Sequence, residues 1–510
     1  MYAIPRSSGA SPAPPPECFV SPRTNAGRRL RAIAFVALML LAAACSSDDN
    51  GNPMSPKHAE ITSFSVAAND NNVLSAIVAV TATNTDSAHV VYWTGSDAKQ
   101  STPFVTDLSG GHLPVLGLQP ESEYNFYVEA FGGGVTATSD TATLTTGALP
   151  TFLQSVSLSS ASPASFGYIF TALLDGSTSY VTGFDSTGRV AWYREFPDGP
   201  PAEEVKQQAN GDFTAVLTTS HGAEAVPGHA VEIAPDGSIV RTFTAPDTAF
   251  MDGHEFWLLF NDGAYDGALM LQYTARHLDL SGTGGPSDSL VVGHQLVRED
   301  ANGNQTVVFN AWDHFHLSDN VEPTMGQLDF DHPNAISIAG DGNYVVSWRN
   351  LDLITKIDAT TGALIWTFAS PFAATDGDFT MSGDALGGFS AQHSVRVLPN
   401  DNILVFDNGT KHAPSKTRAV EYQLDTGAHT ATMTFQFLHA PAIYTPFTGS
   451  VQRLASGNTL IGYPFGAPPF LATEVTPTGS VVYEGTLHAS GTQAPYRFTK
   501  VRSLYRYEAP

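Results

Sequence analysis

Short apolar runs separated by glycine-rich turns dominate the chain from about residue 150 onwards. The clearest example pairs Ala335–Ile338 with Tyr344–Trp348 across the turn Gly340–Asn343. Glycine and asparagine at such a turn supply the positive φ angles that a tight β-hairpin needs. A second hairpin follows directly, with Leu353–Ile357 and Ala363–Phe368 as its strands. The stretch therefore predicts four antiparallel strands in a segment the size of one propeller blade.

The same unit recurs along the chain. A turn in which Asp or Pro is followed by Gly after one to three residues precedes an apolar run six times, and the six glycines lie 49 to 66 residues apart. That spacing leaves room for four strands and their loops, and no helical pattern is sustained over four turns. Six copies predict an all-β fold in which residues 150–510 form a six-bladed β-propeller. The repeated glycines are Gly188, Gly237, Gly303, Gly362, Gly427 and Gly479.

Residues 58–149 predict a smaller β-sandwich of the immunoglobulin or fibronectin III-like kind. Alternating runs such as Val78–Thr83 and Tyr124–Ala130 recur at the spacing typical of two packed sheets. The segment Leu118–Tyr124 resembles the tyrosine corner of fibronectin type III modules, and Trp93 is the predicted core aromatic. Such modules commonly act as spacers, so we assign this one no catalytic role.

The N-terminal residues have the pattern of a targeting segment. An arginine-rich stretch, 28–31, precedes the uncharged run Ala32–Ala44, which is too short to span a bilayer but typical of a signal peptide. Cys45 follows small residues, as in a bacterial lipobox, so residues 1–45 are predicted to be a signal peptide ending at a lipidated cysteine. Ordinary secretion and an uncleaved anchor are the alternatives. Residues 46–57 form a predicted flexible tether, and we expect an extracytoplasmic protein, in the periplasm or at the cell surface, lipid-anchored to a bacterial membrane.

Composition narrows the function classes. The 510 residues carry a formal net charge of −25 at pH 7, which argues against a nucleic-acid partner because an acidic surface cannot neutralise phosphates. Of the two cysteines, only Cys45 would survive removal of the signal peptide, so no intramolecular disulfide is expected. No G-x-x-x-x-G-K-[ST] loop occurs, which argues against a nucleotide donor. We expect no cofactor.

Three histidines occupy equivalent positions in their predicted hairpins. His332 lies nine residues before the centre of its turn and Arg349 eight after it, so antiparallel pairing brings both to the same end. His393 precedes its turn by seven or eight residues, opposite Asn408, and His254 precedes its turn by ten. In a propeller these ends converge near the mouth of the channel. A lone histidine is most often a surface or satisfied core residue, but three at equivalent positions predict a site.

Three motifs resemble a known family. DGHEFWLL, FDHPNAISI with GNYVVSWRNLDLITKID, and QHSVRVLPNDNILVFDNG with SKTRAVEYQLD are similar to segments of the bacterial arylsulfate sulfotransferases, and the resemblance covers residues 167–502. It implies a six-bladed propeller that moves sulfuryl groups between phenols without a nucleotide donor. It also implies His393 as the sulfated nucleophile, with His254, His332 and Arg349 around the sulfuryl group. The further positions that the motifs implicate, in substrate binding, are Asn334, Asn408 and Arg418.

The chain departs from the family pattern before the propeller. Its sandwich resembles a fibronectin module rather than the N-terminal domain of enterobacterial members. The mature chain would also lack the cysteine pair that forms a disulfide in some of those members. The oligomeric state is therefore left open.

The implied residues suit sulfuryl transfer. Its transition state is loose and spreads charge over the peripheral oxygens, so a fixed arginine fork should accelerate it. An imidazole is a competent nucleophile at neutral pH, and a second histidine can protonate the departing phenolate and deprotonate the incoming phenol. The prediction is a ping-pong enzyme whose partners are an aryl sulfate donor and a phenolic acceptor.

Two other functions stay open on the sequence. A non-catalytic propeller at the cell surface would serve binding or adhesion. A metal site built from His254, His332 and His393 has ligands suited to Zn²⁺, but Arg349 beside it would oppose a cation, and we predict no metal. Aromatic candidates for an aryl pocket, each of which could equally pack in the core, are Trp257, Trp312, Phe315, Tyr444 and Phe465.

Overall fold

The structure is a computed structural model that describes most of the chain and is all-β. Apart from strands, the described residues contain five short 3₁₀ turns, and none of their helices is long and apolar enough to cross a bilayer. The all-β prediction is confirmed. The predicted signal peptide, Cys45 and nearly all of the tether lie outside the described residues. Those residues are 57–161, 167–218, 228–283, 285–322, 328–465, 470–489, 491 and 495–508. The 3₁₀ turns are Phe152–Ser155, Ser281–Thr283, Ala311–Asp313, Leu317–Asp319 and Arg349–Leu351.

Eight strands make up the N-terminal part: β1 (Glu60–Ala68), β2 (Ser75–Thr83), β3 (Ser87–Thr94), β4 (Gln100–Ser101), β5 (His112–Leu116), β6 (Glu123–Gly132), β7 (Val135–Thr138) and β8 (Ala142–Thr145). They form two antiparallel sheets, one with the order β1-β2-β5 and one with the order β4-β3-β6-β7, in which β8 also pairs with β6. Alternate residues such as Val78, Val90 and Phe126 are fully buried in one shared core. This arrangement follows from the period-two pattern of the strands, which places every second side chain on the inner face.

Side-chain parity in β3 corrects one prediction. Trp93 is only partly buried and lies beneath the Lys99 ammonium, whereas its neighbour Tyr92 faces the core. Successive residues of a strand point to opposite faces, so an error of one position exchanges core and surface. The Tyr124 hydroxyl accepts a hydrogen bond from the Gln119 N–H at 3.0 Å, which is the kind of contact that a tyrosine corner makes.

Six sheets of four or five strands follow in the described residues, built from successive segments of the chain, and their pairs are antiparallel except for Ser289–Asp300 with Leu328–Asp329 and Thr380–Ser382 with Thr430–Leu438. The first strand after the sandwich, β9 (Ser157–Ser160), belongs to the last sheet. Sheet 1 contains β10 (Tyr168–Asp175), β11 (Thr178–Phe184) and β12 (Val190–Phe196). Sheet 2 contains β13 (Ala202–Gln207), β14 (Phe213–Leu217), β15 (His229–Ile233) and β16 (Ile239–Thr244). Sheet 3 contains β17 (Phe250–Asn261), β18 (Ala264–Leu278), β19 (Ser289–Asp300), β20 (Gln305–Asn310) and β21 (Leu328–Asp329).

The remaining sheets have the same plan. Sheet 4 contains β22 (Pro333–Ile338), β23 (Tyr344–Trp348), β24 (Leu353–Ile357) and β25 (Leu364–Ala369). Sheet 5 contains β26 (Thr380–Ser382), β27 (His393–Val397), β28 (Ile403–Asp407), β29 (Arg418–Asp425) and β30 (Thr430–Leu438). Sheet 6 contains β31 (Ser450–Arg453), β32 (Thr459–Tyr463), β33 (Phe470–Val475) and β34 (Val481–His488), and the last strand is β35 (Thr499–Val501). This succession is consistent with a propeller-like fold; that the sheets are the six predicted blades stays a prediction.

Both ends of this region pair with sheets far away in sequence. β9 lies beside β34 in sheet 6, where Leu158 is opposite Leu487. β35 lies beside β10 in sheet 1, where Val501 is opposite Tyr168. The first and last sheets are therefore each completed by a strand from the other end of the region.

The hairpins of sheet 4 agree closely with the sequence prediction. Pro333 pairs with Trp348, and the Arg349 N–H donates to the His332 carbonyl at 2.9 Å. Behind them, Trp348 is fully buried and packs against Phe309 of the preceding sheet. The hairpin therefore holds His332 and Arg349 side by side, next to a well-packed core.

Candidate functional site

The three predicted histidines lie together. The ring centroids of His254 and His332 are 4.7 Å apart, and those of His332 and His393 are 6.4 Å apart. His254 and His393 are almost fully buried, and His332 retains 15% side-chain exposure. Each residue comes from a different sheet, because His254 lies in β17, His332 directly precedes β22 and His393 begins β27. The equivalence of hairpin positions therefore corresponds to a real cluster.

The backbone at this cluster adopts conformations that side chains rarely tolerate. His332, Ala391, Ser394 and Thr448 all have φ between +43° and +62°. Left-handed conformations of residues other than glycine cost on the order of 1–3 kcal/mol each and persist only where the surroundings enforce them. Strain of this kind, gathered beside three histidines, is typical of a functional site.

Arg349 brings a permanent positive charge to the cluster. Its guanidinium Nη1 donates to the Asn350 side chain at 2.6 Å, and Nη2 lies 3.4 Å from the Pro446 carbonyl. Glu322 lies 3.7 Å from Nη1. Burial is the main cause that lowers the pKa of both His332 and His393, and the positive charge of the Arg349 guanidinium lowers both further. The guanidinium is therefore close enough to act on the whole cluster.

Asn408 determines the tautomer of His393. Its amide nitrogen donates to the carbonyls of Thr445 and Thr448, at 2.7 and 3.0 Å, which turns its oxygen towards the imidazole. That oxygen lies 2.7 Å from His393 Nδ1 and can only accept, so Nδ1 carries the proton. The Thr448 N–H donates to Nε2 at 3.2 Å. Nε2 is therefore the unprotonated nitrogen.

Burial first, and then the Arg349 guanidinium and the neighbouring His332 ring, lower the pKa of His393 well below its ordinary value. The hydrogen bond to Asn408 opposes this shift but does not reverse it. His393 is consequently a neutral imidazole with a lone pair on Nε2 at neutral pH, which is the form that a nucleophile requires.

His254 is oriented by a chain of buried ionisable groups. Its Nδ1 lies 2.8 Å from Asp252, whose other carboxylate oxygen is 3.4 Å from Nε2 of His294. His294 Nδ1 in turn lies 2.6 Å from Asp331. Burial alone would lower the pKa of His294, but the two aspartates raise it well above its ordinary value. His294 is therefore a buried imidazolium that links two carboxylates.

The pKa of Asp252, at the His254 end of that chain, is controlled by the neighbouring histidines. Burial alone would raise the pKa of Asp252, but His254 and His294 hold it well below its usual range. His332 has its own carboxylate, since its Nδ1 lies 2.5 Å from Asp329. Burial, followed by the neighbouring His254 ring and the Arg349 guanidinium, lowers the pKa of His332 well below its ordinary value. His332 is thus neutral, with Nδ1 directed at a carboxylate.

The group best placed to hold a metal ion differs from the predicted alternative. Among the described residues, His294, Asp329 and Asp331 have ligand atoms within 4.8 Å of one another, whereas the three predicted histidines do not form such a group. His294 and Asp331 already bond each other, and Asp329 bonds His332. These contacts explain the three side chains without a metal ion, because they hold residues of the histidine cluster in place.

Two of the residues implied in substrate binding lie outside the cluster. Arg418 is fully buried, and its guanidinium donates to Asp384, to Asp407 and to the Gly388 carbonyl at 2.7 to 2.8 Å. It braces sheet 5, because a buried arginine needs partners for its donors. Asn334 donates to the Gln392 carbonyl at 2.7 Å and so ties sheet 4 to the loop before His393. Asn408 is the one that contacts a histidine of the cluster.

A cavity of about 170 Å³ adjoins the cluster. His254 and Thr448 lie at its wall, together with Tyr496 and Glu203. The five predicted pocket aromatics are not among its lining residues: Trp257 donates to the Ile336 carbonyl, and Trp312 and Phe315 pack against the core of sheets 3 and 4. Aromatic residues in stacked sheets are used mainly for packing, which accounts for the positions of Trp257, Trp312 and Phe315. The remaining lining residues are Ala172, Leu173, Leu174, Pro201, Ala202 and Pro495.

Sequence reasoning missed several residues of this site. Asp252 and Asp329 lie two and three positions before a predicted histidine, so their spacing was available as a signal. His294 and Glu203 had no such signal, because they come from strands whose placement beside His254 depends on the tertiary structure. Thr448 contributes through its backbone N–H, which no side-chain motif reveals.

A family model matches the region of the chain that contains these residues. The family model described as Arylsulfotransferase (ASST) matches residues 155–480, which is more than half of the chain. The chain belongs to the arylsulfotransferase family. All three histidines and Arg349 lie within the matched range, and no curated protein matches the sequence.

Several solved structures resemble this arylsulfotransferase-family chain distantly. A Bacteroides caccae protein of unknown function shares 14% identity, covers 66% of this chain and 100% of its own, and has a TM-score of 0.42. Catalytically inactive virginiamycin B lyase from Staphylococcus aureus, solved with quinupristin, shares 10% identity, with coverages of 65% and 98% and a TM-score of 0.29. An ACO/RPE65 chimera shares 9% identity, with coverages of 88% and 97% and a TM-score of 0.34. Likenesses this weak support no statement about function.

Proposed function

We propose that this protein transfers a sulfuryl group from an aryl sulfate to a phenol through a sulfohistidine at His393. Family membership supports aryl sulfotransferase activity in general. The observation that supports this mechanism is the state of His393, whose Nδ1 proton is held by Asn408 and whose Nε2 carries the lone pair. A buried neutral imidazole in this tautomer needs no deprotonation before it attacks.

In the first half-reaction Nε2 of His393 attacks the sulfur of the donor. An N–S bond forms, the S–O bond to the aryl group breaks, and the electron pair of that bond leaves on the phenolate oxygen. The sulfuryl group replaces the Thr448 N–H as the partner of Nε2. The enzyme is then sulfated until an acceptor arrives, which gives ping-pong kinetics.

In the second half-reaction the hydroxyl oxygen of a phenol attacks the same sulfur. An S–O bond forms, the N–S bond breaks, and its electron pair returns to Nε2 of His393. His332 takes the phenolic proton, since its ring lies beside His393 and the Asp329 carboxylate holds its Nδ1. In the first half-reaction His332 is neutral, so the departing group leaves as a phenolate and takes its proton from solvent. The proton that His332 gains in the second half-reaction returns to solvent in the same way.

Arg349 and His254 stabilise charge on the sulfuryl oxygens in this scheme. The guanidinium offers a planar fork of N–H donors, and the Asp252 carboxylate orients the His254 ring. Sulfuryl transfer resembles phosphoryl transfer in depending mainly on positioning and electrostatics, so fixed donors of this kind provide most of the acceleration.

Mixing the protein with a chromogenic aryl sulfate and no acceptor tests the proposal. We expect a fast release of at most about one equivalent of phenol, because the imidazole stays sulfated. Added phenol should restore turnover, and peptide mapping should find one acid-labile sulfuryl group on His393. His393→Asn should show neither burst nor turnover, whereas the control His277→Asn, at a side chain that is 70% exposed, should behave like the wild type. A burst in the His393 variant would refute the assigned nucleophile.

A further inference from the structure

Phe447 stands between two residues whose backbone contacts the reacting groups. The Thr448 N–H donates to Nε2 of His393 at 3.2 Å, and the Pro446 carbonyl lies 3.4 Å from Nη2 of Arg349. Consecutive Cα atoms are about 3.8 Å apart, so the Cα atom of Phe447 lies that close to the Cα atoms of both neighbours. The side chain of Phe447 is therefore attached next to the nucleophile and the arginine fork of the proposed function.

Hydrogen bonds on both sides of Phe447 hold this segment in place. The N–H of the buried Thr445 donates to the Thr417 hydroxyl at 2.7 Å, and the Thr445 hydroxyl donates to the Phe465 carbonyl at 2.6 Å. The Asn408 side chain donates to the carbonyls of Thr445 and Thr448, at 2.7 and 3.0 Å. The ring of Phe447 therefore extends from an ordered backbone, and a molecule that binds to it need not order the segment first.

The Phe447 ring is exposed although it is entirely apolar. It is 42% exposed, and its centroid lies 4.1 Å from that of the partly buried Phe465 ring, with 37° between the two planes. Single exposed apolar residues are common on protein surfaces and by themselves indicate no function. Phe447 differs in its position, because the next residue in the chain bonds the attacking nitrogen.

The proposed reaction brings an aromatic ring to the same place. The sulfur bonds to Nε2 of His393 where the Thr448 N–H is found now, and the aryl group is attached to the sulfur through one oxygen. Aromatic rings in contact gain free energy beyond the area that they bury, and that burial also removes apolar surface from water. The exposed face of Phe447 offers a substrate ring both contributions.

We propose that Phe447, with Phe465 packed behind it, is the subsite that binds the aromatic ring of the substrate by stacking. This inference rests on the proposed function. The same contact serves donor and acceptor in turn, because a ping-pong enzyme uses one site for both. The side chain of Phe447 has no polar atom, so the subsite recognises the ring itself. The class selected is aromatic sulfate esters and phenols with varied ring substituents.

The burst of phenol release measures this contact. The burst rate of the full-length protein is recorded at increasing concentrations of 4-nitrophenyl sulfate, which gives a half-saturating concentration and a maximal rate. Phe447→Leu should raise the half-saturating concentration about three- to tenfold, because an aromatic pair is lost. The maximal rate should stay within about twofold, because the backbone contacts to His393 and Arg349 persist. Phe447→Tyr keeps a ring, so its increase should be much smaller.

The acceptor gives a second measurement on the same variants. Each protein is first sulfated and then mixed with phenol at increasing concentrations. The half-saturating concentration of phenol should rise in Phe447→Leu by a factor similar to that for the donor. A rise for the donor alone would overturn the proposal of one shared subsite.

Phe104→Leu is the matched control. Phe104 is also an exposed phenylalanine, at 59%, and it also stacks on a ring, that of His89 in the sandwich, with centroids 4.4 Å apart. Its replacement should change neither the half-saturating concentrations nor the maximal rate.

Two results would overturn the inference. One is an unchanged half-saturating concentration in Phe447→Leu, and the other is a lower maximal rate alone, which would mean that the ring only holds the segment in place. Phe465→Leu, which removes the ring behind Phe447, provides the same comparison if Phe447→Leu does not fold. The absence of a burst with every aryl sulfate in the wild type would instead overturn the proposed function, and the inference with it.

Discussion

Asn408 holds the proton of His393 on Nδ1 through one hydrogen bond, and this predicts how the burst of phenol release depends on pH. The low pKa of His393 means that the imidazole is neutral, so the wild-type burst should stay nearly constant as the pH falls through about 6.5, the ordinary histidine value.

Asn408→Asp should change this profile. A carboxylate 2.7 Å from Nδ1 would favour the imidazolium and raise the pKa of His393, so the burst rate should fall as the pH drops through the raised value. Stopped-flow measurements of phenol release across the pH range compare the two proteins. Asn302→Asp, at an exposed turn, is the control. Identical profiles for the wild type and Asn408→Asp would contradict the role given to Asn408.

Arg349 acts through the geometry of its guanidinium as well as through its charge. Arg349→Lys keeps the charge but loses the planar fork, so turnover should fall about 10²-fold or more if two sulfuryl oxygens are bonded in the transition state. Steady-state assays with an aryl sulfate and phenol measure the loss, with Arg506→Lys, at a side chain that is 67% exposed, as the control. Turnover within a few-fold of the wild type would remove Arg349 from the reacting centre.

At the scale of elements, one hairpin explains why part of the site was predictable. The turn and apolar runs of β22 and β23 fix the register of the strands, and the register alone brings His332 next to Arg349. The same reasoning holds for His393 and Asn408, which flank β27 and β28. Such contacts are local, so the sequence contains them.

Contacts between strands that do not belong to one hairpin are harder to predict from the sequence. His294 lies in β19, opposite Tyr273, and reaches Asp252 only because β17 bulges between Met251 and Phe256. A bulge inserts residues on one strand without a partner, and a sequence pattern does not reveal where the extra residues point. The motif resemblance likewise implicated Arg418 in substrate binding, but it could not show that the guanidinium donates its hydrogen bonds to Asp407 and Asp384 instead.

His294 provides a prediction about how the stability of the fold depends on pH. Its pKa is raised in the folded protein, so the stability it contributes is fully present below about pH 6.5 and is lost as the pH rises through the folded value. His294→Gln removes the positive partner of two buried carboxylates and should cost about 3 kcal/mol at mildly acidic pH. The difference from the wild type should shrink at alkaline pH. Urea unfolding at both pH values measures this, and a difference that grew with pH would refute a charged His294.

At the scale of the whole molecule, the sandwich is bound to the sheets that follow it. The Leu116 N–H donates to the Tyr505 hydroxyl at 2.9 Å, just after β35, and the Asn69 side chain donates to the Asp236 carbonyl at 2.7 Å. The Val73 N–H donates to the Tyr193 hydroxyl at 3.2 Å. A module predicted only as a spacer therefore supports sheets 1 and 2 and the C-terminal segment.

Membrane attachment is also a property of the whole molecule, and we predict that it depends on Cys45. Cys45→Ser should move the protein from the membrane to the soluble fraction while folding and activity persist, because the histidine cluster lies far along the chain from that residue. Fractionation followed by the aryl sulfate assay measures both properties. Continued membrane association of the serine variant would show that the lipoprotein prediction is wrong.

The pairing of β35 with β10 has a consequence for synthesis in the cell. The Thr171 hydroxyl donates to the Arg497 carbonyl at 2.7 Å, and these two residues are 326 positions apart in the chain. At typical translation speeds the ribosome needs roughly 15 to 65 seconds to cover that distance. Until then the edge of β10 that β35 will cover is available to other strands, including those of a second nascent chain. Slowed translation of the last sheet should therefore increase aggregation far more than slowed translation of the sandwich.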